Sequence, residues 1–257
     1  MVDSTSIDVI TIASAIDRDL FTTLNNVSQQ TYQGINHIVI YRQATEAEIE
    51  QLQNFNHQKN LSFYPEQGKG IASAFNDGIK HTQGELVLFL NSGDTLVNNN
   101  VIDRVAESYS KNRWLWATGE TISVSRKRYL KKHLKQRTTW SDNVFWYGNP
   151  VCHQSTFYSR DLINKVGLYN ESLSIGMDYD YNVRANQIVN PTLLYFPVSY
   201  YDTTGMSSIR VFKQFTNYRR LRDRYFKLST FNRLKIDTYC LLKSFYRLAM
   251  IPAKLWL

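Results

Sequence analysis

Three short runs of apolar and β-branched residues alternate with segments of helical periodicity in the first ninety residues. The runs are Ile7–Ser14, His37–Tyr41 and Leu86–Leu90. Between them, apolar residues recur at spacings of three or four at Leu20, Leu24 and Val27, and again at Ile71, Ala74, Phe75 and Ile79. This alternation predicts an α/β fold, with a mainly parallel sheet covered by helices on both faces.

A polar turn, Asn91-Ser92-Gly93-Asp94, directly follows the most apolar of these runs. Parallel sheets bind ligands where loops converge at the carboxyl ends of their strands. The position of the turn therefore indicates a candidate ligand site. From the pattern alone, an ordinary turn capped by Asp94 is an equally valid interpretation.

The net positive charge of the chain comes entirely from its C-terminal tail. From Arg210 onward the chain holds 12 Lys and Arg against two acids, a net +10, whereas residues 1–209 hold 18 basic and 20 acidic residues, a net −2. Apolar residues at helical spacing lie between the basic ones and predict an amphipathic helix that breaks near Pro252. Two interpretations stay open: the apolar stripe packs on the main domain, or the helix lies in an anionic membrane surface.

The sequence disfavours a nucleic-acid partner, a disulfide or zinc framework, and a secreted or membrane-spanning protein. We recognise no nucleic-acid-binding module, and the region before the tail is slightly acidic, so we expect no nucleic-acid partner. Cys152 and Cys240 fit neither a disulfide framework nor a zinc cluster. No secretory signal and no run of about 20 apolar residues is present. These features predict a cytoplasmic protein that associates peripherally, if at all, with the inner face of the plasma membrane.

An ordered series of motifs supports a more specific interpretation. The motifs are Gln29–Tyr32, Gly70–Ile79, Gly84–Asp94, His153–Tyr158, Gly167–Glu171, Asp178–Asp180 with Arg184, and Gly205–Ser208. Together they resemble family 2 glycosyltransferases, most closely the bacterial branch that builds exopolysaccharide and lipopolysaccharide O-chains. The resemblance covers about residues 7–230. It implies an A-type glycosyltransferase fold in residues 1–210, followed by a basic helical extension in 211–257.

The resemblance also implies an inverting reaction with a nucleotide-diphosphate sugar and a divalent cation. Asp94 matches the metal-binding acid of the family, and Mn²⁺ or Mg²⁺ is the expected ion. The acceptor would be a glycan or a lipid-linked molecule. The residues expected to contact the donor are Ile12, Ser14, Tyr41, Glu66, Gly70, Asn76, Asn91, Ser92 and Gly93.

Inversion requires a base that takes the proton of the acceptor hydroxyl, and Asp178 matches the catalytic acid of the family. His153 and Gln154 match the family's loop that lines the acceptor and donor site. Met177 is also expected on the acceptor side or in this loop, although many relatives carry Glu at its position. Asp180 and Arg184 lie four residues apart, a spacing typical of a structural ion pair on a helix. For His153, a purely structural role remains an alternative.

Two departures from the family pattern keep a second function open. Tyr41 and Arg42 stand where relatives carry an acid that helps to hold the nucleobase, and Gly68 and Ser73 replace acids near Gly70. These differences indicate another nucleobase preference or a catalytically silent relative that binds a nucleotide sugar or a partner protein. A sugar nucleotidylyltransferase is disfavoured because residues 14–18 lack the Gly-rich basic loop that such enzymes carry after the first strand.

Overall fold

The computed structural model describes residues 5–55, 60–125, 130–202 and 211–255. Within these residues, nine strands form a single sheet. The strands are β1 (Ile7–Ala13), β2 (Ile35–Tyr41), β3 (Leu61–Pro65), β4 (Leu86–Phe89), β5 (Thr95–Leu96), β6 (Trp116–Ser125), β7 (Leu130–Leu134), β8 (Thr156–Ser159) and β9 (Thr192–Asp202). Their order is β3-β2-β1-β4-β8-β6-β9-β5, and β7 pairs with β6.

Helices connect and cover these strands. They are α1 (Arg18–Ser28), α2 (Glu46–Phe55), α3 (Ile71–His81), α4 (Val101–Asn112), α5 (Arg160–Val166), α6 (Met177–Ile188), α7 (Val211–Tyr225) and α8 (Thr230–Leu255), with short 3₁₀ segments at Asp142–Tyr147 and His153–Ser155. The start of α1 shows how the sequence sets a boundary, because Asp17 Oδ1 accepts from the backbone N–H groups of Asp19 and Leu20. The predicted α/β class is confirmed.

The sheet is parallel in its first half and mixed in its second. Strands β3, β2, β1 and β4 all run parallel. The next strand, β8, runs antiparallel to β4, with Leu88 opposite Phe157 and Leu86 opposite Ser159. The loop that precedes β8 therefore lies at the carboxyl end of β4, where the polar turn follows.

Two apolar layers pack against the sheet, one on each face. On one face Phe89 and Tyr158 contact Phe75 of α3 and Tyr181 of α6. On the other face Leu88 and its neighbours pack against α4. Both faces are covered because the buried strands are apolar on both sides, as expected for a sheet of this class.

The tail forms two helices that differ in how they pack. In α7, Val211 and Leu221 are buried, and the Tyr218 ring stacks on Tyr179 of α6 at a centroid distance of 4.6 Å. Arg222 of α7 is also buried and pairs with Asp237 of α8 at 2.7 Å. The first tail helix thus packs on the main body, and α8 packs on α7.

The predicted helix break near Pro252 is wrong. The tail breaks between Tyr225 and Thr230, and α8 continues to Leu255. Pro252 removes a single backbone hydrogen bond close to the end of a 26-residue helix, so little of the helix depends on that bond.

None of the described helices has the length and apolar character needed to cross a bilayer. The motif Gly205–Ser208, which contributed to the resemblance, lies outside the described residues.

Candidate active site

The polar turn after β4 is held by the first strand and the first helix. Ser92 N–H donates to Ile12 O of β1 at 3.1 Å. Thr23 of α1, which is fully buried, donates from Oγ1 to Asp94 O at 2.8 Å and accepts from Gly93 N–H at 2.9 Å. Gly93 has φ +89°, a conformation that favours glycine. The turn is therefore a fixed platform at the carboxyl end of β4.

One short loop, residues 149–154, holds both of the predicted acidic site residues. Gln154 donates from Nε2 to Asp94 Oδ2 at 2.8 Å. Asn149 donates from Nδ2 to Asp178 Oδ2 at 2.9 Å. This is the loop that precedes β8, and the antiparallel pairing of β8 with β4 places it beside the turn. The structure thus brings Asp94 and Asp178 to opposite ends of one loop.

His153 lies on the same loop and is neutral. Asn91 donates from its Nδ2 to His153 Nε2 at 3.1 Å, and the imidazole meets the Phe75 ring edge-on. Burial lowers the pKa of His153, and the negative charge of Asp178 opposes that shift. Because its Nε2 accepts a hydrogen bond, the proton of this imidazole lies on Nδ1.

Cys152, on the same loop, is close enough to both carboxylates for their charges to affect its pKa. Burial raises the pKa of the Cys152 thiol to about 12, and the charges of Asp94 and Asp178 act in the same direction. The thiol donates to Gln154 Oε1, so both ends of the Gln154 amide are engaged. Cys152 is therefore a neutral hydrogen-bond donor to the residue that holds Asp94.

Asp178 and Asp180 diverge from the start of α6, as the helical spacing predicts. Asp178 is half-buried and also accepts from Tyr179 N–H at 2.8 Å. Asp180 is buried on another face, where it pairs with Arg184 at 3.0 Å and accepts from Tyr225 Oη–H at 2.6 Å. The predicted structural ion pair is confirmed. Met177, also predicted near the acceptor, is buried in the core at the start of α6.

A second group of residues predicted to bind the sugar-nucleotide donor lies where β2 and β3 end. Glu66 N–H donates to Tyr41 O at 2.7 Å, and Arg42 Nε donates to Glu66 Oε2 at 3.0 Å. The other carboxylate oxygen, Glu66 Oε1, is buried without a hydrogen-bond partner among the described residues. Ser14 is exposed just after β1. Since β1, β2 and β3 are parallel, this group lies on the same edge of the sheet as the polar turn.

Two residues near α3 that were predicted to bind the sugar-nucleotide donor differ in their surroundings: one is open and the other is buried and hydrogen-bonded. Gly70 precedes the helix with φ +98°, and a Cβ at this position would meet no atom within 4 Å. Asn76 is buried, and its amide bonds with Tyr169 N–H, Tyr169 O and Glu171 Oε1 at 2.7–3.0 Å. Asn76 thus tethers α3 to the segment after α5, while the donor role assigned to it stays a prediction.

The model of glycosyl transferase family 2 matches residues 18–167, more than half of the chain. The chain belongs to this family. The matched region contains the polar turn and the whole of the 149–154 loop, whereas Asp178 lies just beyond it. By family, therefore, the chain is a glycosyltransferase.

Individual relatives agree with this assignment. An uncharacterized glycosyltransferase of Mycobacterium tuberculosis is 28% identical over 216 residues, which span 82% of this chain and 80% of the relative. A PGL/p-HBAD biosynthesis glycosyltransferase of Mycobacterium bovis is 26% identical over 163 residues, covering 61% of this chain and 60% of that protein.

Solved structures share the fold of this glycosyltransferase. S. aureus TarS residues 1–349 in complex with UDP-GlcNAc superpose with a TM-score of 0.67 at 15% identity, covering 92% of this chain and 71% of the other. The mannosyltransferase PcManGT of Pyrobaculum calidifontis, in complex with GDP-Man and Mn²⁺, gives a TM-score of 0.66 at 15% identity, covering 99% and 75%. The predicted A-type glycosyltransferase fold is confirmed.

The polar turn of this glycosyltransferase offers a small set of oxygen ligands. Among the described residues, no group of three or more His, Cys, Asp or Glu side chains is arranged to hold a metal ion. Asn91 Oδ1, however, is buried without a hydrogen-bond partner among those residues, and the Asp94 carboxylate lies in the same turn. An oxygen-preferring cation such as Mg²⁺ or Mn²⁺ fits this donor set if substrate phosphate and water supply the remaining ligands.

Proposed function

We propose that this protein is an inverting glycosyltransferase that moves a sugar from a nucleotide-diphosphate donor to a lipid-linked or glycan acceptor in surface polysaccharide synthesis. The observation that carries the proposal is the 149–154 loop, whose two side-chain amides hold Asp94 at one end and Asp178 at the other. Such a transfer needs a site for the leaving diphosphate and a base for the incoming alcohol, and the loop connects the two groups suited to these tasks.

The donor half of the site would be built on the polar turn and on the ends of β2 and β3. Asp94 and Asn91 Oδ1 would hold Mn²⁺ or Mg²⁺, an ion that stabilises the charge of the departing diphosphate when it is bound. Glu66 Oε1, buried without a partner among the described residues, is suited to accept an N–H of the nucleobase. The structures of TarS with UDP-GlcNAc and of PcManGT with GDP-Man and Mn²⁺ support a nucleotide-sugar donor of this kind.

The acceptor half would be built on Asp178. Its Oδ2 accepts from Asn149 and its Oδ1 from Tyr179 N–H, so the carboxylate has a fixed orientation. In inversion the base lies opposite the leaving group and takes the proton of the attacking hydroxyl. Asn149 positions the base, because its Oδ1 is in turn held by Asn182 at 3.3 Å.

The outer face of α8 supports an acceptor at a membrane. Phe231, Leu234 and Leu242 are 76%, 67% and 64% exposed, and Phe245 and Leu248 extend the same apolar face. Exposed Lys235 and Lys243 lie on the same helix. Helices of this kind lie in the plane of an anionic lipid surface. We propose peripheral attachment through residues 211–257 to an anionic membrane as part of this function.

The test is a screen of nucleotide sugars for release of nucleoside diphosphate, with and without EDTA. We expect the parent protein to release nucleoside diphosphate from at least one donor with Mn²⁺ or Mg²⁺, and EDTA to abolish the release. We expect Asp94→Asn and Asp178→Asn each to lower the rate at least 100-fold, since general-base catalysis and electrostatic stabilisation each contribute factors of about 10² or more.

Asp161→Asn, an exposed aspartate on α5, serves as the matched control and should keep the parental rate. Circular dichroism establishes that each variant is folded. If Asp94→Asn and Asp178→Asn transferred sugar as fast as the parent, the assigned roles would be wrong. Donor binding by calorimetry, with no release on any acceptor, would instead favour a catalytically silent nucleotide-sugar-binding protein, the alternative raised by the missing acid at Tyr41.

A further inference from the structure

A cavity of about 660 Å³ lies between the Asp142–Tyr147 segment, α7 and α8. One wall comes from residues 137–150, and the other comes from α7 and α8. No residue of the polar turn lines it. The cavity is therefore separate from the diphosphate site proposed at Asp94, and none of the roles assigned so far accounts for it.

The charge of this cavity is strongly positive. Its cationic lining residues are Arg137, Arg219, Arg222, Lys243 and Arg247, and no described lining residue is a carboxylate. Two acids outside the lining compensate part of this charge: Asp237 pairs with Arg219 and Arg222, and Asp223 pairs with Arg222 at 2.9 Å. Arg247 donates to the neutral Gln214 at 2.9 Å. Neither Arg137 nor Lys243 forms an ion pair with a described residue, so part of the positive charge is left without a compensating acid.

One lining side chain is also a hydrogen-bond donor without a partner. Trp146 Nε1–H is buried and meets no acceptor among the described residues. A buried donor of this kind costs free energy while it stays unpaired, but its nitrogen is not exposed to the cavity. The preference for an anionic ligand with several acceptor oxygens therefore comes from the arginine and lysine side chains of the lining.

The cavity lies beside the proposed catalytic base, separated from it by one side chain. Asn149 lines it and donates to Asp178 Oδ2 at 2.9 Å. Tyr218 also lines it and stacks on Tyr179, the residue next to Asp178. Burial raises the pKa of the Tyr218 hydroxyl well above its ordinary value, so this wall stays protonated and uncharged. Asp178 itself does not line the cavity, and the side chain of Asn149 lies between the cavity and this carboxylate.

From these observations we infer that the cavity is an acceptor subsite for a phosphate or diphosphate group, which holds an acceptor whose hydroxyl then reaches Asp178. This inference rests on the proposed function, because it assigns the acceptor class of the same site. The phosphate could belong to a lipid-linked acceptor or to a soluble sugar phosphate, and these two sources share the chemistry that the cavity recognises.

The test is calorimetric titration of the full chain with farnesyl diphosphate, inorganic pyrophosphate and farnesol, all in EDTA. EDTA removes the cation on which the donor site would depend. We expect both diphosphates to bind and farnesol not to bind. If farnesyl diphosphate binds more tightly than pyrophosphate, the phosphate belongs to a lipid-linked acceptor. If the two bind equally, it belongs to a soluble acceptor. Both results support the subsite.

The variant R137E/K243E reverses the two unpaired charges, and we expect it to weaken diphosphate binding at least tenfold. K165E/K235E is the matched control, because it makes the same change in net charge at two exposed lysines outside the cavity. Circular dichroism and the melting temperature verify that both variants fold. We expect the control and Asp94→Asn to bind as the parent does.

Several results would overturn the inference: parental affinity in R137E/K243E, binding of farnesol as tight as that of the diphosphates, or loss of binding in Asp94→Asn. Failure of the subsite and failure of the proposed function give different results. A parent protein that binds farnesyl diphosphate but releases no nucleoside diphosphate from any donor would support the subsite and contradict the transferase. A parent that turns over a donor but binds neither diphosphate would do the reverse.

Discussion

The carboxylates of the site are oriented by neutral amides, and Gln154 is the clearest case. Its side chain is 2% exposed, so its amide must be paired within the protein, and it bonds to Asp94 and Cys152. Residues that hold a ligating carboxylate contribute to metal affinity without touching the ion. Gln154 was predicted in the loop that lines the acceptor and donor site, and its contacts are those of a residue that positions Asp94.

We therefore expect Gln154→Ala to weaken Mn²⁺ binding about tenfold, because loss of such a supporting contact typically costs 10- to 100-fold in metal affinity or activity. Electron paramagnetic resonance of free Mn²⁺ during titration measures the affinity directly. Gln187→Ala, at an exposed position on α6, is the control. Unchanged Mn²⁺ affinity in Gln154→Ala would contradict a positioning role at Asp94.

The acidic residues of the site could be predicted from sequence, but their supports could not. Asp94 follows the most apolar strand, and Asp178 lies in a motif of the family, so both carry a local signal. Asn149 and Thr23 carry none, because their roles arise from hydrogen bonds to residues 29 and 71 positions away. Asn76 shows a different limit of sequence motifs: its amide bonds to Tyr169 and Glu171, contacts that the motif did not indicate, and its donor role stays a prediction.

At the level of elements, local pattern identified three of the four strands in the parallel half of the sheet and none of the strands in the mixed half; β3 was missed. The runs at residues 7–14, 37–41 and 86–90 became β1, β2 and β4 with boundaries within two residues. Strands β6 and β9 received no specific prediction. Their partners are distant in sequence, as where Ala117 lies opposite both Phe157 and Thr192, so tertiary pairing rather than periodicity fixes them.

One cross-strand bond in the parallel half makes stability depend on pH. His37 of β2 is buried, and its Nε2 lies 2.8 Å from Thr11 Oγ1 of β1. Burial lowers the pKa of His37 to about 3, against about 6.5 in the unfolded chain. Between these values only the unfolded chain binds the proton. The stabilisation is therefore complete above pH 6.5 and is lost as pH falls toward 3.

We expect His37→Gln to flatten this dependence, because the amide can still bond Thr11 but does not titrate. In the parent, this one group lowers the free energy of unfolding by up to about 1.4 kcal/mol for each pH unit below 6.5. Guanidinium unfolding at pH 7, 6 and 5 measures the slope for both proteins. Equal slopes for parent and variant would show that His37 titrates normally in the folded state.

Across the whole molecule, the first interpretation of the basic tail, packing on the main domain, holds for α7, whereas membrane contact stays a prediction that concerns α8. Helix α7 packs on the main body through Val211 and Leu221. Helix α8 buries Ile236 against the rest of the protein and leaves an apolar face outward. The sequence could not separate these helices, because the apolar residues of both recur at helical spacing, and only the packing of α8 on α7 decides which face remains exposed.

The outward face of α8 predicts association with anionic vesicles. We expect the protein to sediment with vesicles that contain phosphatidylglycerol, and the bound fraction to fall as salt screens the basic residues. The triple variant Phe231→Ser/Leu234→Ser/Leu242→Ser removes exposed apolar area at residues outside the cavity lining and the active site, and we expect it to lose most of this binding. Point changes are preferable to truncation, because deleting α8 would leave Arg222 of α7 buried without Asp237.

Tyr195→Ser is the matched control, because Tyr195 lies on β9, outside the tail, and is 64% exposed. It should bind vesicles like the parent. Equal sedimentation with neutral phosphatidylcholine vesicles would contradict the electrostatic part of the attraction, since each Lys or Arg near an anionic surface contributes about 1 kcal/mol only when that surface is charged. If the triple variant bound vesicles fully but changed the oligomeric state in sedimentation velocity, the apolar face of α8 would be a contact between copies of this chain rather than a membrane surface.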